Sequence, residues 1–142
     1  MNMSNSPEGI TPVKPRGIAL LICWRTTWQN PTDPTKAHPR DIYGTLDALA
    51  PDHFPCSVGP MSAYVLVSGA GSISLSLMLE APNGEFIVAH HLSTTNWGTL
   101  GTCEWSVHIS EFPLNEPGIY HWQLFHGDEV LLDRPMLVTL RA

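Results

Sequence analysis

Seven histidines and three cysteines in a chain of 142 residues raise metal chemistry first. Zinc takes about four converging nitrogen or sulfur ligands, or three and a water. His53-Phe-Pro-Cys56 offers two such ligands at a workable spacing, and His90-His91 sets two imidazoles side by side. Neighbours on a strand point to opposite faces, so His90 and His91 cannot both serve one site. The odd separation of His121 and His126 divides them in the same way, whereas His108 and His121 share the outward parity. Ordinary surface or rim histidines are the simpler reading. We assign no metal ligands and no cofactor, and keep a metal-dependent hydrolase as a second alternative.

Other chemistry is weaker. Asp47 with Asp52, or Glu111 with Glu116, lie near strand ends, but glycoside hydrolysis needs two carboxyls opposed across a cleft. Solvated loop charges account for them. Ser68-Gly-Ala-Gly71 lacks both the order of a nucleophile elbow and the Gly-Lys-Ser/Thr of a phosphate loop, so it reads as a turn. His38-Pro-Arg-Asp41 matches a fragment of a kinase catalytic loop in a chain far too short for that fold. The balance weighs against an enzyme. Trp24, Trp28 and Trp97 sit in or beside polar loops, where exposed aromatics can stack on sugar rings or anchor a protein.

The elements that must position these residues are strands. Ile73, Leu75, Leu77 and Leu79 alternate with serines and Glu80, the period of two of a half-buried strand. Asn83-Gly84 then marks a hairpin. With those two as turn residues, Leu79 faces Val88 and Leu77 faces His90, which puts His90 on the core side and His91 outside. Cys103, Trp105, Val107 and Ile109 alternate likewise. Ile18 to Trp24 and Met61 to Ser68 read as further strands, and Asp41 to Leu49 favours a strand turning near Ala50-Pro51. For the final hairpin, a three-residue turn through Glu129 pairs Leu124 with Leu132 and Gln123 with Asp133. That choice keeps Tyr120, Trp122 and Leu124 together inside. Met136 to Leu140 closes the chain.

Between these runs lie breakers. Pro7, Pro12 and Pro15 make residues 1–16 a flexible arm, and the domain is expected over 17–142. Thr26 to Arg40, with Pro31, Pro34 and Pro39, reads as a loop of about fifteen residues. Thirteen prolines and eleven glycines leave no room for long helices. About eight strands without a convincing helix imply an all-β fold, a single antiparallel β-sandwich with immunoglobulin-like connections.

Composition sets the outer bounds. A hydrophobic share of 43% is enough for a core, while charged residues, at 14%, are scarcer than the usual quarter. The net charge of -6 argues against nucleic acid as a partner. No apolar run approaches the roughly 18 residues of a membrane-spanning helix. Three cysteines, an odd number, behind a polar N-terminus argue against a disulfide framework and for a cytoplasmic location.

Leu20-Leu-Ile-Cys23, Ile42-Tyr-Gly-Thr-Leu-Asp47, Phe54-Pro55 and Pro117-Gly-Ile-Tyr120 with its closing hairpin form a set. Together they resemble a family of small uncharacterised bacterial β-sandwich proteins, known as a domain of unknown function. The resemblance spans roughly residues 17–141. It implies the fold and a bacterial cytoplasm, and brings no catalytic residues.

The expected role is a non-catalytic protein-interaction or assembly module, binding a protein partner or a second copy. Phe125 and Leu131 fall on the outer face of the last hairpin, with Gln123 and His121 beside them, and form the expected interface. The alternative is a small-molecule or carbohydrate-binding module using Trp28 and Trp97.

Overall fold

Alternation of apolar and polar side chains dictates which residues face inward, and the computed structural model follows it closely. It describes residues 13–28 and 40–141, with the side chains of 25–28 and 40–44 outside the description. Eleven strands are present among the described residues, and no helix. They are β1 (Val13–Trp28), β2 (Arg40–Thr45), β3 (Ala48–Leu49), β4 (Cys56–Val58), β5 (Met61–Ala70), β6 (Ile73–Glu80), β7 (Phe86–Thr94), β8 (Thr102–Ile109), β9 (Phe112–Leu114), β10 (Gly118–His126) and β11 (Glu129–Val138). One sheet runs β2-β1-β5-β8, the other β3-β11-β10-β6-β7, and β4 pairs with β9 alone.

This is the expected sandwich. The chain places β5 between β1 and β8, crosses to β6 and β7, returns for β8, then completes the second sheet with β10 and β11. That Greek-key path is the immunoglobulin scheme of strands A, B and E facing G, F, C and C′. The short β3, β4 and β9 add to the expected count, because two or three residues are too few to show a period. β3 runs parallel to β11, at Ala48 and Leu49.

The core lies between the two main sheets. Met61, Ala63, Val65 and Val67 of β5 face Ile73, Leu75, Leu77 and Leu79 of β6 and Tyr120, Trp122 and Leu124 of β10, all buried. Trp122 stands two residues after Tyr120, where antibody domains carry the second disulfide cysteine. Its indole fills that volume and meets Phe112 edge-on at 5.8 Å. The Tyr120 hydroxyl donates to the Glu116 carbonyl at 2.7 Å, four residues upstream, which makes the tyrosine corner of this fold. Burial raises the Tyr120 phenol above its ordinary value of 10.0, and the hydrogen bond to Glu116 opposes that rise.

Two hairpins test the register. In the first, Leu79 pairs with Val88 and Leu77 with His90 as expected, but the turn is the three residues Pro82-Asn83-Gly84, with the Ala81 N–H donating to the Glu85 carbonyl and Gly84 at φ 91°. A register shift between Leu79 and Glu80 absorbs one residue. His90 is half-buried and His91 exposed. In the second, Leu124 pairs with Leu132 and Gln123 with Asp133, the expected pairing reached by another route. The turn is the two residues Gly127-Asp128, and a register shift beyond Leu124 absorbs one extra residue. The bulge, not a longer turn, keeps Trp122 and Leu124 on one face.

β1 is longer than the sequence suggests at both ends. Val13 pairs with Ala70 and Arg16 with Ser68, so β1 starts inside the stretch read as an arm. Pro15 is accommodated because a register shift between Val13 and Arg16 frees its position from the ladder. At the other end Thr26 to Trp28 pair with Ile42 to Arg40, which takes both ends of the expected loop into strands. Residues 1–12, 29–39 and 142 lie outside the described residues, and with them most of the arm and the loop.

Candidate functional site

Parity along β10 and β11 builds one continuous outer face. Tyr120, Trp122 and Leu124 point in, so Ile119, His121, Gln123 and Phe125 point out. Their partners across the ladder are Leu137, Pro135, Asp133 and Val130. At one end of this face Ile119 and Leu137 are about half exposed, at 52% and 48%. At the other end Phe125 meets Phe86 of β7 edge-on at 6.1 Å, beside Val130, with Phe86 48% exposed.

A polar knot separates the two apolar ends. Nδ1 of His121 lies 2.9 Å from Oδ1 of Asp133, and since a carboxylate only accepts, that nitrogen carries the proton. Gln123 Nε2 donates to the other carboxylate oxygen at 3.3 Å. Asp133 is thus engaged on both oxygens. Beside Ile119 and Leu137 the surface dips into a groove of about 460 Å³, edged by Asp47, Pro135 and Arg134.

Three of the four expected interface residues stand together here. His121, Gln123 and Phe125 form a row on β10. Leu131 does not join them. It is the unpaired residue of the bulge, half-buried and packed against the core, because inserting one residue breaks the alternation that placed it outside. The sequence reasoning missed Ile119, Asp133 and Leu137, although the parity that selected Phe125 also selects Ile119. Asp133 was already paired with Gln123 by register.

The two tryptophans expected to share a ligand are far apart. Trp97 is half-buried, its Nε1–H donating to the Gly71 carbonyl at 2.8 Å and its ring covering Gly69 at the far end of β5. Trp28 ends β1 beyond Cys23, which pairs with Ser62 at the start of β5. Its side chain lies outside the described residues. Some dozen strand residues separate the two positions, or about 40 Å. They cannot form one platform. Trp97 serves to pack its loop on the hairpin.

The remaining candidates are dispersed. The cysteines are free. Among the described residues, no three of His, Cys, Asp and Glu converge on a point that could hold a metal ion. Cys56 pairs with Leu114 in β4 and lines a groove of about 520 Å³ with Trp24, Leu46, Leu49 and Arg141. Asp52 is bound to Arg141 at 3.1 Å. Among the described residues no helix is long and apolar enough to cross a membrane.

Comparison with known proteins adds a family and a likeness. The model of a family described as a family of unknown function (DUF6941) matches residues 35–139. No curated protein matches. Among solved structures, an immunoglobulin-like protein from Pseudomonas aeruginosa is similar at 13% identity and a TM-score of 0.41, over 88% of this chain and 96% of that one.

Proposed function

The chain belongs to DUF6941, a family of unknown function, and from that premise we propose that it is a non-catalytic protein-interaction module. Its contact surface is the outer face of the β3-β11-β10-β6-β7 sheet. The observation that carries this reading is the exposure of Ile119, Leu137, Phe86 and Val130, with Phe125, on one sheet face. Apolar side chains grouped on one face and rimmed by polar ones are the usual composition of a contact patch.

The partner is a second copy of the chain. A two-fold axis through the His121–Asp133–Gln123 knot would lay the Ile119–Leu137 end of one copy against the Phe86–Phe125 end of the other. Such a surface is self-complementary, as a two-fold interface must be. Placement in a bacterial cytoplasm belongs to the same proposal and is supported by the free cysteines.

Light scattering on the full chain tests it. A dimer is expected, reduced to a monomer by Phe125→Asp with an unchanged circular dichroism spectrum. A single-chain mass at about 100 μM, a concentration that populates even modest dimers, removes the reading.

A further inference from the structure

On one flank of the sandwich β1 and β11 run side by side, with a slot of about 320 Å³ between them. Ile18 to Leu21 line one wall, Leu132, Asp133 and Arg134 the other. β2 covers only the part of β1 from Cys23 onward, and the Leu46 N–H takes the Ile22 carbonyl at 2.7 Å. Groups on one side of an antiparallel strand recur every second residue, so the Leu20 N–H and C=O point the same way as those of Ile22. No described residue pairs with them there. The matching edge of β11 is blunted. Leu137 and Thr139 donate outward to Asp47 and Leu49, and the next position of that parity is Pro135, which has no N–H.

The flank also gathers cations. Arg134 Nε is buried without a hydrogen-bond partner among the described residues. The adjacent Asp133 carboxylate is taken by His121 and Gln123 on the outer face. Lys14 and Arg16 precede the slot along β1, with Lys14 bridging to Glu129 of β11 at 2.9 Å. Of the four cations whose side chains are described, three lie on this flank of a chain with net charge -6.

We propose that this flank takes up an extended segment of a partner protein, added to β1 as a strand in line with β2 and carrying a carboxylate for Arg134. Backbone pairing at Leu20 supplies the attachment, and the guanidinium supplies the selectivity for an acidic side chain. This slot adjoins the outer face of the other sheet at Asp133 and Arg134, whereas its β1 wall, Ile18 to Leu21, lies outside that face.

The probe is a fluorescein-labelled octapeptide of alternating valine and threonine with one central aspartate, titrated by anisotropy with the full chain. Binding is expected, weakened about tenfold by Arg134→Gln and by an asparagine-centred peptide, as loss of one charge-assisted bond requires. Amide exchange at Leu20 should slow in the complex. Phe125→Asp, on the other face, should leave the affinity unchanged, which separates this site from the proposed dimer surface. No binding below about 1 mM, equal affinity for Arg134→Gln of unchanged melting temperature, or an unprotected Leu20 amide overturns the proposal.

Discussion

Removing one oxygen atom, by Tyr120→Phe, probes the tyrosine corner that ties the β9–β10 connection to the core. The ring keeps its packing, since Tyr120 is only 1% exposed and sits between the sheets. What is lost is the O–H donated to Glu116 at 2.7 Å. A neutral hydrogen bond of this kind contributes about 0.5–1.5 kcal/mol net. Glu116 is half-buried, so water can reach its freed carbonyl and the penalty stays near about 1 kcal/mol. For a domain of this size that lowers the melting temperature by about 3–5 °C.

The same residue has a pH signature. Burial raises the folded phenol above its unfolded value of 10.0, so folding favours the protonated form. The contribution is complete below the unfolded value and is lost as pH rises through the higher folded one. Urea unfolding of both proteins at neutral pH and at about pH 11 reads this directly. Wild type should lead at neutral pH and lose that lead in alkali. Equal stability at neutral pH, or a gap unchanged at about pH 11, would refute the reasoning.

Two other substitutions check the packing. Gly17→Ala would place a Cβ 2.4 Å from Cγ of Leu132, a branch point with little freedom, and should destabilise by about 1–3 kcal/mol in thermal melts. Trp97→Phe removes the 2.8 Å bond to Gly71 and should cost about 1 kcal/mol. A glycan panel should leave the tryptophan fluorescence of the wild type unchanged; quenching would restore a carbohydrate-binding role.

Local chemistry made much of the fold legible. The period of two marked β6, β8 and β10, and alternation put Leu77 and Leu79 opposite His90 and Val88, although the Pro82–Gly84 turn reaches that pairing only with a bulge beside Glu80. Where the site was misread, the cause was a break in that period. Leu131 was placed outside by parity, and the bulge turned it onto the core. The strand end at Val13 was hidden by Pro15, whose missing donor a bulged ladder tolerates, and Thr26 to Trp28 carry no apolar alternation that would mark them as strand.

Alternation of side chains alone therefore determined that two sheets close over an apolar core, and that His121, Gln123 and Phe125 share a face. Tertiary structure decided the rest: that Trp28 and Trp97 stand at opposite ends, that Ile119 and Leu137 complete the outer face, and that the Nε of Arg134 has no hydrogen-bond partner among the described residues. The physical reason is range. Burial periodicity and turn geometry act between near neighbours, whereas which strands adjoin, and which charges meet, is set by contacts between segments far apart in the chain.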